Sequence, residues 1–61
     1  MINEFTVEMI DGVLVESPEL NTFIERCIVE HGKDEQYHRS MLTAFVKVKM
    51  ANGDATSVRL N

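Results

Sequence analysis

The sequence predicts an α+β fold, β-β-α-β-β, with one central helix (about residues 17–31) packed on one face of an antiparallel sheet. Three observations carry this. A capped amphipathic stretch runs from Ser17 to Gly32, Asp11-Gly12 separates two apolar runs, and apolar residues alternate with others from Leu42 to Met50 before Asn52-Gly53-Asp54.

In the first run, Phe5, Val7 and Met9 alternate with Thr6 and Glu8, and Val13-Leu14-Val15 follows the Asp-Gly pair. Asp-Gly between such runs signals a tight hairpin, because both turn residues tolerate positive φ. A two-residue loop sets Ile10 opposite Val13 and Met9 opposite Leu14. Phe5, Val7, Met9 and Leu14 then share one face, and Ile10, Val13 and Val15 share the other. The competing reading is a helix from Asn3 to Val15, since Phe5, Met9 and Val13 recur every four residues. Gly12 and the β-branched residues weigh against it.

Ser17 is suited to accept an N-cap hydrogen bond, and Pro18 fits the first helical position. Leu20, Phe23, Ile24, Cys27, Ile28 and His31 fall on one helical stripe, and Gly32 suits the residue after the last turn. Residues 33–40 show no clear period, which leaves a loop or a short turn of helix open. Leu42, Ala44, Val46, Val48 and Met50 then read as a strand, with Asn52-Gly53-Asp54 as its turn. A three-residue loop pairs Met50 with Thr56, Val48 with Val58 and Val46 with Leu60. That register stacks Lys47 and Lys49 beside Arg59 on the outer face.

With 61 residues the chain reads as a single domain, small enough to bury only roughly 60% of its unfolded surface. The one cysteine, Cys27, cannot form an internal disulfide, which suits a reducing, cytoplasmic setting. No apolar run is long enough to span a bilayer, and no basic-then-apolar leader stands at Met1. So small a core, without disulfides, favours a homo-oligomer. The net charge of −4 is unevenly spread: residues 1–31 carry seven carboxylates against Arg26 alone, while residues 32–61 are mildly basic.

Candidate chemistry is thin. Cys27 and His31 share a helix face, and His38, Asp34 or Glu35 would be needed to complete a metal site, but the spacing follows no zinc pattern. A cysteine amid the apolar stripe reads as a small hydrophobe rather than a nucleophile. No catalytic, cofactor or metal site is assigned, and the expected class is a non-enzymatic interaction module that binds another protein as a homodimer. Small acidic chains of this kind recur among inhibitors, antitoxins and phage-encoded accessory regulators. Glu4, Glu8, Asp11 and Glu16 are assigned to its protein-binding face, and Ile10, Val13 and Val15 to the subunit contact. The alternative is nucleic-acid binding through Phe45, Lys47, Lys49 and Arg59. A purely structural assembly subunit is a third reading.

Overall fold

A computed structural model describes residues 4–60, so Met1, where a leader is sought, and Asn3, where the competing first helix begins, lie outside them. The fold is α+β, with two small antiparallel sheets and two helices. The order is β1 (Glu4–Thr6), β2 (Met9–Ile10), β3 (Val13–Leu14), α1 (Pro18–His31), α2 (Glu35–Ala51) and β4 (Ser57–Arg59). The expected β-β-α-β-β order and four-stranded sheet are therefore corrected to β-β-β-α-α-β.

The first hairpin forms in the expected register, with Met9 opposite Leu14 and Ile10 opposite Val13. Asp11 (φ 53°) and Gly12 (φ 77°) both sit at positive φ, as the two-residue turn requires. Val15 N–H donates to the Glu8 carbonyl at 2.9 Å and prolongs the ladder. One step earlier the chain changes partner. Val7 N–H donates to the Thr56 carbonyl at 2.9 Å, and Thr56 Oγ1 donates back to the Val7 carbonyl at 2.6 Å. These bonds continue the β1–β4 ladder, in which Glu4, Phe5 and Thr6 face Arg59, Val58 and Ser57. Residues 4–10 thus belong to both sheets, β4 holding the first half and β3 the second.

Helix α1 begins as its sequence dictates. Ser17 Oγ accepts from Leu20 N–H at 3.0 Å, and Pro18 occupies the first turn. Leu20 and Ile24 are buried, with Phe23 and Ile28 packed against the same core. Phe5 and Phe23 meet edge to face at 6.1 Å, which ties β1 to α1. His31, the last member of the expected stripe, is exposed instead. Gly32 has φ 73° and ψ −159°, a backbone conformation essentially confined to glycine, and it turns the chain toward α2.

The largest correction concerns Leu42 to Met50, where the alternation predicts a strand. These residues continue a helix that runs from Glu35 to Ala51, in line with the helical option open for the residues before them. Asp34 Oδ1 accepts from Tyr37 N–H at 2.9 Å and caps its start. His38, Leu42 and Val46 follow at i, i+4 and i+8 and are buried. At the far end Gly53 N–H donates to the Met50 carbonyl and Asp54 N–H to the Lys49 carbonyl. This is a Schellman closure, with Gly53 (φ 74°) in the position that favours glycine. Asn52-Gly53-Asp54 thus ends a helix rather than turning a hairpin. The expected pairing of Met50, Val48 and Val46 with Thr56, Val58 and Leu60 is replaced, and Val58 faces Phe5. Val and Thr cost a helix only a few tenths of a kcal/mol each. Burying Leu42 and Val46 beside Leu20 and Ile24 outweighs that cost.

The core is small: Val7, Leu14, Leu20, Ile24, Leu42, Val46 and Val58. It draws on both sheets and both helices, in a plate of 30 × 27 × 17 Å.

Candidate protein-binding surfaces

The hairpin projects its outer side chains away from the core. Ile10 and Val13, opposite each other, are 65% and 66% exposed, while their neighbours Met9 and Leu14 turn inward. Glu8 and Asp11 stand exposed beside them. This gives a small apolar centre with carboxylates along its edge. Val15, assigned with Ile10 and Val13, is only half-exposed.

The other two acidic candidates lie elsewhere on the surface. Glu4 lies opposite Arg59 on the β1–β4 ladder. Glu16 is clasped by Arg39 of α2, whose Nη1 and Nη2 donate to its two carboxylate oxygens at 2.7 and 3.0 Å. Arg39 Nε donates to Glu35 at 2.6 Å, and Nη2 reaches Asn21 Oδ1 at 3.3 Å. Fork-to-carboxylate geometry of this kind fixes position as well as charge. Here it pins the segment before α1 to the first turns of α2, and Glu16 is a brace rather than part of a free acidic face.

The hydrogen bond from Arg39 holds the Glu16 carboxyl below its ordinary 4.5, and the Arg39 guanidinium is correspondingly raised. A carboxylate depressed on folding stabilises the fold above its unfolded value, and that contribution fades as pH falls through the lowered one. The melting temperature of Glu16→Gln is therefore expected to lie below the parent's at neutral pH and to converge with it in acid, once the pH has fallen below that lowered value. Thermal melts at neutral and acidic pH check this. A gap that persists unchanged in acid would contradict it.

The supposed nucleic-acid cluster is not a single strand face. Phe45, Lys47 and Lys49 lie on α2, and Arg59 lies on β4. Lys49 Nζ stands 5.5 Å from the Phe45 ring, while Lys47 points to another side of the helix, since two residues turn it by about 200°.

Around Cys27 the groups expected to complete a metal site are otherwise engaged. His38 Nε2 donates to the Gly32 carbonyl at 2.6 Å and fastens the α1–α2 turn. Asp34 caps α2, and Glu35 is bound to Arg39. Among the described residues no three His, Cys, Asp or Glu side chains gather closely enough to hold a metal ion. Burial pushes the Cys27 thiol up, and the nearby Glu30 carboxylate adds to the effect, so little thiolate is present at neutral pH.

The surface that sequence reading missed lies on α2. Tyr37, Met41, Phe45 and Val48, all between 42 and 60% exposed, form an apolar stripe with Ala44, offset from the buried His38–Leu42–Val46 row. Taking about 200 Å² for each large side chain, these exposed fractions amount to roughly 400 Å². That is about the size of the largest apolar patch on an ordinary soluble monomer, a place that is often functional. The signal was present as Tyr37, Met41, Ala44 and Val48 at steps of four, three and four, but the alternation from Leu42 onward concealed it.

The chain is thus a small α+β module with uncovered apolar faces. No protein-family model, curated protein or solved structure matches it. No helix among the described residues is long and apolar enough to cross a membrane.

Proposed function

We propose that this chain is a non-catalytic regulator or inhibitor that works, as a homodimer, by occupying the surface of another protein. The observation that supports this reading is the exposed Ile10–Val13 pair on the hairpin, bordered by Glu8 and Asp11. Apolar side chains held out on a rigid two-residue turn, with acids at the rim, suit a partner carrying an apolar pocket edged by basic residues. Glu4 extends the same acidic character along β1.

The test is affinity capture with the tagged full chain in its native host. One protein is expected to co-purify in stoichiometric amount and to be lost from Ile10→Ser/Val13→Ser. Retention of the partner by that variant would overturn the assigned surface.

A second reading, nucleic-acid binding, draws on two cation–aromatic pairs along α2: Lys33 lies 5.6 Å from the Tyr37 ring and Lys49 5.5 Å from Phe45. Retention on DNA that vanishes in Lys33→Glu/Lys49→Glu would favour it over the first.

A further inference from the structure

The hairpin leaves the larger apolar surface, the α2 stripe, without an occupant. We infer that α2 packs antiparallel against α2 of a second copy, along Tyr37, Met41, Ala44 and Val48. The inference rests on the homodimer reading and moves the subunit contact away from Ile10, Val13 and Val15.

Spacing is the first argument. Steps of four, three and four are those of a two-helix seam, which keeps apolar residues facing a partner helix over three turns. All four positions, with Phe45 alongside, are exposed on an otherwise folded helix.

Size is the second. A two-fold axis passing between Leu42 and Thr43 sets Tyr37 against Val48 of the second copy, and Met41 against Ala44. Each layer then matches a large side chain with a small one, and the interface is self-complementary as two-fold symmetry demands.

Charge is the third. The N-terminal end of α2 carries Asp34 and Glu35 beside Lys33, and its C-terminal end carries Lys47 and Lys49 near Asp54. Counting Arg39 and the Glu16 it binds, the first end holds two cations against three carboxylates, and the second two cations against one carboxylate. An antiparallel pair brings unlike ends together and opposes the helix dipoles favourably. A parallel pair would stack Lys47 and Lys49 upon themselves. Among the described residues Lys33, Lys47 and Lys49 form no ion pair within one chain, although Lys33 and Lys49 stand over the Tyr37 and Phe45 rings.

Area sets the strength. Roughly 400 Å² of apolar surface per copy, about 800 Å² in all, falls short of the roughly 1,000 Å² that stable specific interfaces clear. The contact is a weak, reversible one even with the flanking lysine stems. The dimer is therefore expected to dissociate on the order of micromolar concentrations.

Sedimentation velocity across a dilution series gives the first test. The parent chain should pass from dimer to monomer, and Met41→Glu/Val48→Glu should be monomeric throughout with an unchanged far-ultraviolet spectrum. Oxidative cross-linking in a Cys27→Ser background gives the orientation. Tyr37→Cys chains mixed with Val48→Cys chains should form a disulfide between unlike chains, whereas either variant alone should form little. Disulfides between like chains would overturn the antiparallel arrangement. A dimer that survives Met41→Glu/Val48→Glu but is abolished by Ile10→Asp/Val13→Asp would overturn the α2 seam while keeping the homodimer. A parent chain that is monomeric at every concentration would overturn both.

Discussion

Val46→Asp is expected to unfold the chain at room temperature, and Val48→Asp to leave it folded. Val46 is fully buried, while Val48 lies on the open stripe of α2. A carboxylate forced into the first site loses its water and gains no partner, which costs several kcal/mol or shifts its protonation at similar expense. The whole stability of a 61-residue domain is only roughly 3–9 kcal/mol. At the second site the charge stays in water on the single chain, and at concentrations where the chain is monomeric the effect should be about 0.5 kcal/mol or less. In a strand the two residues would share a face and suffer alike. Circular dichroism and thermal melts of the two variants separate the alternatives. Equal destabilisation of both would contradict the helix.

Leu20→Ala is the second large effect. Leu20 is 1% exposed, in the first turn of α1 beneath the Ser17 cap, and it packs within the seven-residue core. Removing a buried leucine side chain costs about 2–5 kcal/mol, because the lost burial and the cavity left behind add together. With about 4–8 °C of melting temperature per kcal/mol for a domain this small, the expected fall is about 10 °C or more. Thr22→Ala on the exposed face of α1 serves as the control and should melt close to the parent. A Leu20→Ala loss no larger than the control's would mean that α1 does not bury this face.

Two parts of the fold were legible in the residues because local chemistry decides them. Asp11-Gly12 can serve a tight turn at positive φ that few other pairs tolerate. Ser17-Pro18 marks a helix start, whatever the helix packs against. The segment from Leu42 to Met50 is different, because its alternation and its helical stripes use many of the same residues. Leu42, Val46 and Met50 stand four residues apart, which is two periods of a strand and about one turn of a helix. The decision came from the ends, where Asp34 caps and Gly53 closes, and from His38, whose hydrogen bond to Gly32 has no separate mark in sequence.

The candidate surfaces divide in the same way. Ile10 and Val13 could be placed because their outward direction follows from the hairpin register. Glu16 could not, since Arg39 lies 23 residues away and only the packing of α2 brings it near. Phe45, Lys47, Lys49 and Arg59 were grouped by a strand pairing that the chain does not make. The pairing of β1 with β4, chain ends that meet across the whole fold, leaves no local trace that a single sequence reveals.

The helical state of residues 35–51 is the point on which the core, the open stripe and the self-pairing all depend. Sequential amide–amide nuclear Overhauser effects measured through this segment test it most directly. Strong contacts between successive N–H groups from Gln36 through Ala51 are expected, with Cα shifts displaced to helical values. Strong Hα-to-next-amide contacts from Leu42 to Met50, with cross-strand contacts from Val48 to Val58, would contradict it.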